Sequence, residues 1–327
     1  MTTVTPQSAV PAPLLVRKAG QHGLTRDRLR GNSWERLSRG LYGPREPGRS
    51  TTDLARMTTP VLPRDSGWAH LTSARLRGWW TPNQLGPHVL LASTTSRVHV
   101  QRRGVYVRRS VFAEVEVVDG IPVSTPAQTL IELARDLVLV DLVPMVDCAL
   151  AAGADPDAIM AAARPRLRGA ATLRRAVQLA DPKSESWWES VLRLVHVLTG
   201  LGPVECQVEL FSQGSFIART DLHLIGTHRY PECDGGEHRQ RDRHDADLGR
   251  EKWMSRSDYE RYGYSTREIA RQPEMIIRDA EDARGWRHDP ERARTWWRWT
   301  KSSTLTGYGR TCLAARLARY ARAAIRA

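Results

Sequence analysis

The chain is predicted to be α/β, α+β overall, and built from several modules. Three observations carry this. Its 327 residues, 41% apolar and 26% charged, are enough for more than one buried core. Segments with helical spacing alternate with short runs of strand periodicity, separated by Gly, Pro, Asn and Asp. Charge is also distributed unevenly. Of the formal net +13, residues 284–327 carry +9, residues 14–50 carry +6, and the remainder is −2. The modules expected are a basic one over 1–50, an α+β scaffold and interaction domain over 51–180, an α/β domain over 181–283 and a basic tail over 284–327.

In the first module, Leu14 to Ala19 reads as a short helix stopped at Gly20. Thr25 is placed to cap a second helix over Arg26 to Arg30, and Gly31-Asn32-Ser33 opens a third over Trp34 to Ser38. Three short helices followed by Arg39-Gly40-Leu41-Tyr42-Gly43-Pro44 look like a winged helix-turn-helix with its wing starting at Arg39. This resembles the N-terminal domain of the AbiEi family of antitoxins. The resemblance implies promoter DNA as a partner, a third helix lying in the major groove, and a possible toxin partner. Arg26, Arg28, Arg36, Arg39 and Arg45 are the candidate DNA-binding residues.

Residues 51–180 continue this resemblance. His70 to Gly78 looks like the helix after the wing; Val89 to Leu91, Val98 to Gln101 and Val105 to Arg108 read as short strands. Thr125 caps and Pro126 starts a helix running toward Ala134; Leu139 to Ala152 forms the next, and Asp155-Pro156 begins a third. No recognisable chemistry surrounds His70 or Asp147, which are expected to be structural.

Chemistry is concentrated between Ser184 and His238. Ser184-Glu185-Ser186-Trp187-Trp188-Glu189 opens a helix whose apolar face is Val191, Leu192, Leu194, Val195 and Leu198. Val204 to Leu210 alternates as a strand, Phe216 to Ile225 makes a second carrying Asp221, and Thr227 to Asp234 makes a third carrying Glu232. Adjacent strands can bring Asp221 and Glu232 to one Mg²⁺ or Mn²⁺, with Glu189 approaching from the packed helix, because such ions take a few carboxylate oxygens and keep other positions for water and phosphate.

The pattern Ser-Glu-Ser-x-x-Glu, Arg219-x-Asp221, Glu232-x-Asp234-Gly235 and His238 resembles the PD-(D/E)XK endonucleases, in the branch related to very-short-patch repair. The likeness covers about 181–272, with a helix around Leu248 to Tyr262 and a return strand at Gly263 to Arg267. It implies a catalytic set of Glu189, Asp221, Glu232, Asp234 and His238. Asp221 and Glu232 would hold the metal, Glu189 would complete or orient the site, and His238 would activate water or protonate the leaving group. Asp234 stands where the superfamily's usual lysine falls. Pro231, just before Glu232, removes a ladder donor and pushes its strand toward an edge or a bulge. His223, His228, His238 and His244 lack the spacing of a zinc site, and Cys206 and Cys233 form no Cys-x-x-Cys pair.

In the tail, Trp286, Trp296, Trp297 and Trp299 interleave with Arg287, Arg292, Arg294, Arg298 and Lys301, a mixture suited to stacking on bases and pairing with phosphates. Arg316, Arg319, Arg322 and Arg326 form a basic stripe, expected to contact nucleic acid or dock on the protein's own core. No run of eighteen apolar residues is present, and Met1 to Pro13 lacks a signal-peptide pattern. No membrane association is therefore expected, and the protein is expected to be cytoplasmic, with Cys148, Cys206, Cys233 and Cys312 reduced. These readings converge on a DNA-binding protein with a metal-dependent DNA-hydrolysing domain. The alternative is a transcriptional regulator or antitoxin-like protein whose nuclease fold is inactive.

Overall fold

The computed structural model describes residues 13–82, 90–96, 101–102, 104–110, 114–212, 214–234 and 259–325. The chain divides into two compact units, Met1–Glu132 with Ala314–Ala327, and Leu133–Leu313. No described helix is long and apolar enough to cross a membrane.

The first unit begins with β1 (Leu14–Leu15), a 3-10 helix over Val16–His22, α1 (Arg26–Arg30), β2 (Trp34–Ser38) and β3 (Leu41–Pro44). The strands form an antiparallel sheet in the order β1-β3-β2. Leu14, Ala19 and Leu29 form its core, with Val16, Leu24, Trp34 and Tyr42 packed around them. Thr25 caps α1 by accepting the Arg28 amide at 3.3 Å. Two expected helices are corrected here. Leu14 to Ala19 is a strand running into the 3-10 helix, and Trp34 to Ser38 is a strand, with Arg36 opposite Tyr42. The reason is non-local. Gly40, at φ 77°, turns the chain back so that Trp34 to Ser38 satisfies its backbone against Leu41 to Pro44, which five residues could not do as an isolated helix.

Next come α2 (Thr51–Thr58), capped by Ser50, β4 (Ser66–Trp68) and α3 (His70–Leu76). They are followed by β5 (Leu90–Thr94), β6 (Gln101–Arg102), β7 (Val105–Arg109), β8 (Val115–Val118) and β9 (Ile121–Ser124). β4 to β9 form a mixed six-stranded sheet in the order β6-β7-β5-β4-β9-β8. Fully buried Trp68 anchors its core among Ala55, Leu90, Ala92, Val105 and Val123, and its indole N–H donates to Thr59 Oγ1 at 2.9 Å. Val89 and Val98 to Val100 lie outside the described residues. α4 (Pro126–Leu133) follows β9.

The second unit contains α5 (Leu139–Ala151), α6 (Pro156–Ala162), α7 (Ala170–Leu179) and α8 (Trp187–Leu198), and α5, α8 and the segment after α7 meet at a buried charged hub. The fully buried Asp147 carboxylate accepts from the Arg193 guanidinium at 2.6 Å, the Ser190 hydroxyl at 2.6 Å and the Asp181 amide at 2.8 Å. Three donors are what make a buried carboxylate tolerable there.

Strands β10 (Val204–Ser212) and β11 (Ser215–Leu224) form an antiparallel hairpin. β12 (Arg229–Asp234) pairs in parallel with β13 (Glu260–Ser265). Residues 260–262, expected in a helix, are therefore strand; the rest of that expected helix, through Asp258, lies outside the described residues. α9 (Thr266–Arg271), α10 (Pro273–Ala283), α11 (Pro290–Thr300) and α12 (Gly307–Ile325) complete the chain. Through Leu313 the tail belongs to this unit. Trp296 is buried, and Asp141 accepts from Ser303 Oγ at 2.7 Å, Thr304 Oγ1 at 2.8 Å and the Thr304 amide at 3.1 Å.

Candidate functional sites

In the N-terminal module, α1 buries Leu29 and turns Arg26, Arg28 and Arg30 outward. On the hairpin, Arg36 lies on β2, Arg39 in the turn and Arg45 just beyond β3, and all three are exposed. Arg49 behaves differently. Its buried guanidinium pairs with Glu35 and donates to the Pro44 carbonyl, tying the open end of the hairpin together. The five candidate DNA-binding arginines thus present long, charged side chains from one helix and one hairpin. The helix before the hairpin is α1, so Arg36 does not sit on a recognition helix.

The acidic residues form the second candidate. Ser186 caps α8 by accepting the Glu189 amide at 3.1 Å, and Glu189 reaches back to accept the Glu185 amide at 2.8 Å. The same carboxylate oxygen accepts from Gln207 Nε2 at 2.9 Å. Burial pushes the Glu189 carboxyl above its ordinary range. Asp221, on β11, accepts the Cys233 amide of β12 at 2.7 Å, so a side chain links the two strands at that point. Burial, followed by the charges of Asp221, Glu189 and Asp234, pushes the Cys233 thiol up to about 12.

Glu232 and Asp234 share a cation that the motif does not contain. Arg261, on β13, is 2.6 Å from the buried Glu232 carboxylate and 3.1 Å from Asp234. Gly263, paired with Glu232 across the parallel strands, makes this possible, because a Cβ there would collide with the Asp234 carboxylate. The polar run before Glu232 is likewise satisfied. The buried Arg229 ion-pairs with Glu260 at 2.9 Å, donates to the Asp279 carbonyl and lies 3.5 Å from the Tyr262 ring centre; Tyr230 stacks on His223.

Glu189, Asp221, Glu232 and Asp234 are thus held on neighbouring elements, whereas His238 lies outside the described residues, as does His244. Oxygen donors of the right type are present, but in this arrangement protein groups already engage two of them. Glu232 is bound to Arg261, Asp221 is engaged by an amide, and among the described residues no three His, Cys, Asp or Glu side chains converge to hold a metal. Motif reading missed Arg261, Gln207 and Gly263. Arg261 and Gly263 come next to the acids only through the parallel pairing of β12 with β13, and Gln207 reaches Glu189 from a different strand.

Comparison with known proteins bears on the middle of the chain. Residues 69–181 match the AbiEi antitoxin C-terminal domain. The matched segment runs from the start of α3 through α7 to Asp181, whose amide donates to Asp147. Two uncharacterized proteins from two strains of Mycobacterium tuberculosis are each 32% identical over 155 residues, which is 46% of this chain and 56% of theirs. The chain thus matches about half the length of these curated relatives. No solved structure matches the chain.

Proposed function

We propose that the chain is an antitoxin-like DNA-binding regulator. The observation that carries this is the match of residues 69–181 to the AbiEi antitoxin C-terminal domain. Support comes from the exposed Arg26, Arg28, Arg36, Arg39 and Arg45 of the N-terminal module, whose net +6 over residues 14–50 suits a phosphate backbone. Promoter DNA and a cognate toxin are the partners this reading names. The acidic cluster serves as a scaffold, with Arg261 supplying the positive charge that its carboxylates need.

The test is binding of the purified chain to a labelled duplex from upstream of its own gene, measured across a salt series. The Arg26→Ala/Arg28→Ala and Arg36→Ala/Arg39→Ala variants should each bind more weakly, with the salt slope falling by about one for each phosphate that is no longer engaged. Affinity and slope unchanged in both variants would refute this assignment of the DNA-binding face.

The second reading is a Mg²⁺- or Mn²⁺-dependent endodeoxyribonuclease with Asp221 and Glu232 as metal ligands. Two observations favour it: the run of one helix, an antiparallel hairpin and a parallel strand pair, and the Asp221 carboxylate held at 2.7 Å against the Cys233 amide of β12, next to Glu232. Plasmid and single-stranded DNA incubated with Mg²⁺, Mn²⁺ or EDTA separate the readings. Metal-dependent cutting that is abolished in Asp221→Asn and Glu232→Gln supports the nuclease, whereas binding without cutting supports the regulator.

A further inference from the structure

Helix α11 buries one face and exposes a second that charge alone does not explain. Trp296 and Thr300 point into the unit. On the opposite side Arg294 and Arg298, four residues apart, and Lys301, three further on, line up as a basic ridge at helical spacing. Trp297 falls on one flank of that ridge and Trp299 on the other. Both indoles are far from buried, at 37% and 41% exposed, and Trp286 beside the helix is 42% exposed.

Leaving indole surface in water forgoes a large hydrophobic gain, so three such side chains within fourteen residues mark a contact surface more strongly than arginines do. Their local partners differ. Trp286 has Arg284 and Arg292 near its ring at 5.1 and 5.0 Å, which pre-orders it, and Trp297 donates to Glu274 at 2.6 Å. Trp299 has no such contact among those of the described residues. On the ridge the local counter-charge is Glu291, which pairs with Arg294 and lies 4.0 Å from Arg298.

We infer that this ridge binds single-stranded nucleic acid, with Trp299 and Trp297 as stacking platforms and Arg294, Arg298 and Lys301 as phosphate contacts. Exposed aromatic faces flanking a row of cations match the chemistry of an unpaired strand, which offers base faces and a phosphate at each step. A duplex hides its base faces. An anionic membrane calls for a continuous apolar face, and α11 has already buried its own. The inference does not rest on the antitoxin reading, because it uses residues outside the N-terminal module.

The experiment uses the full chain with fluorescein-labelled dT and rU dodecamers, monitored by anisotropy at several salt concentrations. Trp299→Ala should weaken binding at least tenfold, about the loss expected for one stacked base, while Trp299→Phe recovers most of it. Arg294→Gln/Arg298→Gln should weaken binding and flatten its salt dependence. Arg26→Ala/Arg28→Ala should leave the Trp299 effect intact, which separates this surface from the duplex-binding face. The dT and rU arms show whether DNA or RNA is preferred. Equal affinity of Trp299→Ala and the native chain, or no binding of either dodecamer, overturns the inference. It is also overturned if the Trp299-dependent ligand proves to be polyglutamate or an anionic vesicle.

Discussion

Arg261 stands 2.6 Å from the buried carboxylate of Glu232, and its other guanidinium nitrogen reaches Asp234 at 3.1 Å. One cation thus neutralises two acids of the expected catalytic set, one of which, Glu232, the nuclease motif would give to a metal. Removing it strands a buried negative charge, which is costly because desolvation is no longer offset. Arg261→Gln is expected to lose about 1–3 kcal/mol of stability, measured by urea unfolding. It should also create an appetite for divalent ions. Millimolar Mg²⁺ should raise the melting temperature of Arg261→Gln and leave that of the native chain unchanged. Equal stabilisation of both proteins would show that Arg261 does not guard the cluster.

Asp141 makes a different prediction, about how the tail is held. Its buried carboxylate gathers the Ser303 and Thr304 hydroxyls and the Thr304 amide, fixing the turn between α11 and α12. Asp141→Ala leaves those donors without their acceptor in a site that excludes water, at about 1–3 kcal/mol. The effect should be local before it is global. Under conditions where the bulk of the protein stays folded, trypsin should cut Asp141→Ala faster after Arg298, Lys301 or Arg310. Equal cleavage of variant and native chain would show that other contacts, such as buried Trp296, suffice to hold the turn.

What could be read from the sequence was mostly local. Thr25, Ser186 and Asp155 all cap helices in the structure, because a cap needs only a side-chain oxygen and an amide two or three residues on. The β10–β11 hairpin is legible from alternation and from Ser212-Gln213-Gly214-Ser215, which reads as a turn. Trp34 to Ser38 was misread because Ser33 looks like a cap, whereas the conformation is decided by pairing beyond Gly40. At the acidic cluster, residue types identified the acids but not their partners. Arg261 is 29 residues from Glu232, and nothing in the intervening sequence announces that a parallel strand will return there. Glu189 shows the opposite limit: the spacing that suggests a residue completing or orienting the site equally specifies a helix-capping glutamate, and the structure uses it as one.

His196 supplies a prediction about pH. It lies fully buried on α8, its ring nitrogen Nδ1 bonded at 2.9 Å to the Leu192 carbonyl as donor, and burial pulls its pKa down to about 4, with Arg284 adding to the effect. The folded chain therefore keeps the imidazole neutral where an unfolded chain, with a value near 6.5, would already be protonated. Between those two values the unfolded state binds the extra proton, so stability falls as pH drops. The contribution is fully present above about pH 6.5 and is lost on the way to about pH 4. At pH 5 the loss amounts to about 2 kcal/mol, from 1.36 kcal/mol for each pH unit below the unfolded value. His196→Gln keeps a donor for the Leu192 carbonyl but has nothing to titrate. It should be less stable than the native chain at pH 7.5, and the gap should narrow or reverse at pH 5, as read from urea midpoints at the two values. Parallel losses in both proteins would assign the acid sensitivity to other groups.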